Sequence, residues 1–110
     1  MKALLIVGVL ALASLSAAQG TQTFVGMITD DMCATKDGHA SMRMGPTDAE
    51  CTTACVAAHG AEYVLADGKS VYTLSDQKTP EKFAGKKVRV TGTLDANTRR
   101  IQVASMTLAQ

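Results

Sequence analysis

Apolar and polar positions divide this chain into three kinds of segment. The first is an unbroken apolar run, Ala3–Leu12 (ALLIVGVLAL), which follows Met1-Lys2 and precedes the small residues Ala13–Ala18. The second is a set of short stretches rich in β-branched and aromatic residues, alternating with period two and bounded by turn formers. That is the pattern of half-buried strands. Phe24–Thr29 (FVGMIT) is one, with Gly26 expected to mark a bend or bulge. Ala61–Ala66 and Lys69–Ser75 flank Asp67-Gly68, which predicts a hairpin closed by a two-residue type I′ turn. Lys86–Leu94 places Val88, Val90 and Leu94 on one face and Lys87, Arg89 and Thr91 on the other. Asp95–Thr98 then turns the chain into Arg99–Leu108, where Ile101 and Val103 alternate with Gln102.

The third kind is helical. Thr47-Asp48-Ala49-Glu50 fits the capping box, in which a threonine side chain accepts from the backbone three residues on. The helix is expected from about Asp48 to His59, with Gly60 as its stop. Pro80–Ala84, inside the polar connection Ser75–Gly85, reads as a short helical turn because proline suits a first helical position. Between the first strand and the helix, Asp30–Pro46 shows neither period; Asp37-Gly38 reads as a turn and Gly45-Pro46 as a break. The expected fold is mainly β. It is a five-stranded OB-like Greek-key barrel with one helix between strands 1 and 2 and a short helical turn between strands 3 and 4. A sandwich would want about seven strands.

Charge and compartment follow from the leading segment. A positive charge, an apolar run and small residues, with Ser16 and Ala18 at the −3 and −1 places, are a secretory signal over residues 1–18. The apolar run is shorter than the roughly 20 residues a membrane span needs, and no cysteine sits at the cut to carry a lipid. The mature chain is thus expected to be one OB-like domain, 19–110, without a membrane anchor, in the periplasm or outside the cell. Taking 18 from 110 leaves 92 residues, and losing Lys2 leaves ten basic against ten acidic. Neutrality argues against nucleic-acid binding. Lys86, Lys87, Arg89, Arg99 and Arg100 form a basic hairpin, but with Phe24, Tyr63, Tyr72 and Phe83 as the only aromatics it reads as a solvated edge.

The candidate chemistry is concentrated in one place. Cys33, His39, Met42, Met44, Cys51, Cys55 and His59 fall within 27 consecutive residues, including every cysteine and histidine of the chain. On the helix, Cys51, Cys55 and His59 are four apart and stack along one side, drifting by about 40° per step. The simplest reading is a buried small-residue face, since cysteine packs readily in cores. Three chemistries compete with it. Export favours a structural disulfide. Residues four apart on a helix hold their Cβ atoms roughly 5–6 Å apart, too far for Cys51 with Cys55, so Cys33 pairs with one of them. A metal site is the second: Cys33, Cys51, Cys55 and a histidine make a tetrahedral set for Zn, and Met42 and Met44 soften it towards Cu. Thiol redox catalysis is the third, and C-x-x-x-C without a βαβ context supports it least. Asp30, Asp31 and Asp37 lack the glutamate of a calcium loop.

The stretch PEKFAGKKVRVTGTL, Pro80–Leu94, together with G-M-I-T-D-D-M-C, His39 and C-T-T-A-C, resembles a family of small exported bacterial OB-fold-like proteins with a Cys/His-bearing loop-helix insertion. The resemblance implies an OB-like fold and export, and no activity. The expected function is a non-enzymatic exported binding module holding a soft transition metal, Cu or Zn, through its Cys/His/Met insertion. The alternative is a disulfide-stapled envelope domain whose barrel face binds a protein, peptide or glycan.

Overall fold

The computed structural model describes residues 20–34 and 38–109; the expected signal segment 1–18 lies outside the described residues. Strands β1 (Gln22–Asp30), β2 (Tyr63–Ala66), β3 (Val71–Leu74), β4 (Lys87–Asp95) and β5 (Arg100–Leu108) close into a ring in the order β1-β2-β3-β5-β4. Helices α1 (Gly38–Met42) and α2 (Asp48–His59) separate β1 from β2, and a 3₁₀ turn, Thr79–Phe83, separates β3 from β4. The sheet is mixed, because β3 and β5 run parallel while every other pair is antiparallel.

Closure depends on β1 serving two partners. Its residues from Gln22 to Met27 pair with β4, and those from Met27 to Asp30 pair with β2. The alternation read from sequence places the core: Ile28, Leu65, Leu74, Val88, Val90 and Ile101 are fully buried inside the ring, and Phe24, Tyr72 and Leu94 pack around them. Gln77 latches the β2–β3 pair. Its side chain accepts from the Tyr63 amide at 2.7 Å and donates to the carbonyls of Tyr63 and Leu74.

Three local features differ from the sequence reading. Gly26 lies in unbroken pairing with β4, and the bulge falls instead between Thr91 and Gly92. What Gly26 provides is clearance, since a Cβ there would stand 2.6 Å from the Ala66 carbonyl oxygen. The β2–β3 connection is not a type I′ turn on Asp67-Gly68. Ala66 pairs with Val71, the Asp67 amide donates to the Ser70 carbonyl at 3.1 Å, and the Asp67 carboxylate accepts from the amides of Lys69 and Ser70, so the turn centres one residue later, on Gly68-Lys69. The stretch between β1 and α2 contains a helical turn of its own, α1, beginning at the glycine expected to sit in a turn.

Helix α2 has the bounds its sequence predicts. The Thr47 hydroxyl accepts from the Glu50 amide at 3.1 Å, and Gly60 ends the helix at φ 66°, a left-handed conformation that favours glycine.

Candidate metal centre

Asp30, the last residue of β1, builds the first side of the site. One of its carboxylate oxygens accepts from the amides of Met32 and Cys33, both at 3.1 Å, and folds the chain sharply out of the strand. Asp31 ties the same turn to the approach of β2, its carboxylate accepting from the Glu62 amide at 3.2 Å. The turn buries Cys33 against α2, where the four-residue spacing puts Cys51 and Cys55 on the buried side. The Sγ of Cys33 lies 3.6 Å from that of Cys51 and 3.6 Å from that of Cys55. No disulfide is formed; all three are buried free thiols.

Helix α1 supplies the other side. Gly38 packs so closely on Cys33 that a Cβ would collide with the Cys33 carbonyl. That close approach brings His39 to the cluster, where its Nε2 meets the Thr29 hydroxyl at 3.1 Å. Ligand atoms of Cys33, His39 and Cys51 lie within 4.8 Å of one another, and so do those of Asp30, Cys33 and Cys55. Cys33 belongs to both sets. These residues are close enough to hold a metal ion.

The electrostatics of the centre are unusual. Among the described residues, the buried side-chain polar atoms without a partner are Asp30 Oδ1, His39 Nδ1 and Thr52 Oγ1. All three sit on the elements that frame the thiols, and two belong to the candidate ligand sets. A buried polar atom left unpaired costs about 1–3 kcal/mol. Burial pushes the Cys33 and Cys55 thiols up from their ordinary range. For Cys33, the Asp30 carboxyl adds to the effect through a hydrogen bond and through its charge. Without a metal, these two thiols therefore stay protonated at neutral pH.

Of the residues expected from sequence, the fold brings together Cys33, His39, Cys51 and Cys55. Met42 and Met44 are half-buried and pack against the cysteines. His59 stands apart, exposed at the end of α2 and in neither set. The drift of about 40° per four-residue step has by then turned that side of the helix towards solvent. Asp30 and Thr29 are the functional residues that sequence reasoning missed. The available signal was the Asp-x-x-Cys spacing, in which an aspartate can cap the backbone of the cysteine three residues on.

Among the described residues, no helix is long and apolar enough to cross a membrane. Comparison with family models, with curated proteins and with solved structures finds no match, so the functional reading rests on this geometry.

Proposed function

We propose that this protein is a non-enzymatic metal-binding module whose ion is held by Cys33 with donors from α1, α2 and the end of β1. The convergence of three buried thiols with His39 and Asp30, each of which keeps a buried unpaired atom, carries this reading. The spacing supports it. Two thiolates bound to one zinc at about 2.3 Å stand roughly 3.8 Å apart at a tetrahedral angle, close to the observed 3.6 Å. Thr29 occupies His39 Nε2 and leaves Nδ1 for the ion, the outer-shell arrangement that orients metal-bound imidazoles. Mixed sulfur, imidazole and carboxylate donors suit Zn(II); the methionines packed on the cysteines keep Cu(I) second.

The strand order β1-β2-β3-β5-β4 with one parallel pair supports an OB-like Greek-key barrel as the scaffold. The leading segment supports export, with residues 1–18 removed and the remaining chain forming one domain in the periplasm or outside the cell.

A second reading has one observation in its favour. Cys33 is equidistant from Cys51 and Cys55, so in an oxidising compartment it could bond to either and leave the other as a thiol. Denaturing alkylation of the mature protein without reductant, with metal analysis of the native sample, separates the two. Three alkylated cysteines and one equivalent of metal are expected. One alkylated cysteine and no metal would replace the metal centre with a disulfide staple.

A further inference from the structure

Resting on the metal-binding reading, we propose that the ion keeps an open coordination position that a small organic thiol enters through the cavity beside the β2–β3 hairpin. The two ligand sets differ in how they meet the outside. Cys33 and His39 form part of the wall of a cavity of about 550 Å³, bounded on its outer side by Met27, Ala66 and Val71. His39 and Cys51 form part of the wall of a second cavity of about 410 Å³. Asp30 and Cys55 are completely buried and line neither. An ion on the Cys33, His39 and Cys51 set has three protein donors, each from a residue that lines one of these cavities. Three protein ligands with a fourth place open to water or an added ligand is the arrangement of catalytic zinc sites, whereas purely structural sites are closed.

The cavity also selects its occupant. Its walls are largely apolar, with Met27, Ile28, Ala66 and Val71 among them, and Met27 and Val71 are exposed at its rim by 41% and 36%. Among its described lining residues the full charges are Lys69 and Asp48, one of each sign. A compact soft donor on a short apolar body fits both the walls and an ion already bound to sulfur. A thiol meets those requirements. It binds the ion as thiolate and releases its proton to solvent, with no change of oxidation state. The module would in this way form a mixed complex with a small thiol and pass its ion on by ligand exchange.

Cobalt(II) in place of zinc makes the coordination visible. The full mature chain is loaded with one equivalent of Co(II) and titrated with 2-mercaptoethanol, while gel filtration with metal analysis checks that the cobalt stays bound. The expected result is a saturable change in the visible ligand-field bands and a stronger sulfur-to-cobalt charge-transfer band. Val71→Trp and Ala66→Leu, each adding bulk to the cavity wall, should keep one cobalt per chain and weaken the thiol response at least tenfold. Cobalt bound with a spectrum indifferent to thiol, or a response unchanged in both variants that fold, overturns the open position and leaves the metal site standing. Failure to bind cobalt and zinc at all overturns the site itself.

Discussion

Thr29 and Gly38 govern the geometry of the centre without offering it a ligand. The Thr29 hydroxyl holds the His39 ring by Nε2, so Thr29→Val frees the ring to rotate and should lower zinc affinity about 10–100-fold, as loss of an outer-shell partner does. A competition titration against a chelator of known affinity, with thermal melting as control, checks this; an unchanged affinity would mean that the contact does not orient the ring. Gly38→Ala acts through space. Its methyl group meets the backbone of Cys33, which cannot swing aside as a side chain can. It should cost about 1–3 kcal/mol of stability by overpacking and reduce zinc binding further than Thr29→Val. Much of this was invisible in the sequence. Cys33, Cys51, Cys55 and His39 could be gathered from type and proximity along the chain, but Asp30 could not. Its role depends on a carboxylate serving two backbone amides at the end of a strand while its other oxygen is left buried and unpaired.

At the scale of elements, legibility follows how local the deciding interactions are. Helix α2 could be bounded from sequence because its start and stop are set by Thr47 and Gly60, each acting within a few residues. Helix α1 could not, because one turn with a glycine at its head has no period to read and is held by packing on Cys33. The hairpin loop fell between these cases. Asp67-Gly68 does mark the turn, but the Asp67 side chain takes two amides and its own amide bonds to Ser70, which moves the centre of the turn to Gly68-Lys69. Asp76 plays a similar part ahead of the 3₁₀ turn, accepting from the amides of Lys78 and Thr79. The Thr79 side chain and these amides hold its carboxyl below the usual carboxylate value of 3.8. Because the folded value is depressed, the stabilisation is present above the unfolded value and is lost as pH falls through the folded one. Melting temperature should thus decline less between about pH 5 and pH 2 in Asp76→Asn than in the parent. Parallel acid limbs would show that the turn does not feel this charge.

For the whole molecule, the centre joins the end of β1 to both helices of the long excursion and so ties the least regular third of the domain to the ring. Zinc at one hundred times its dissociation constant should stabilise the fold by about 2.7 kcal/mol, read as a rise in melting temperature that a chelator reverses. Loading must displace the proton that burial holds on Cys33, the thiol common to both ligand sets, so proton release should accompany binding and apparent affinity should rise with pH. Isothermal titration in buffers of different ionisation enthalpy measures the released protons directly. Zero release would mean that the thiols do not bind the ion.

The double duty of β1 has a consequence in time. This strand is the first of the ring to be synthesised, yet six of its ten pairings are with β4, 60 to 70 residues later. Pairings across such a separation form late, because loop closure must precede the contacts that reward it. The turn that carries Asp30 and Cys33 is anchored on that strand, so the thiols are made before the ring beside them closes. In the interval they are open to whatever reaches them first, an ion or an oxidant. The order of assembly, alongside the finished geometry, thus bears on whether the thiols meet an ion or an oxidant first.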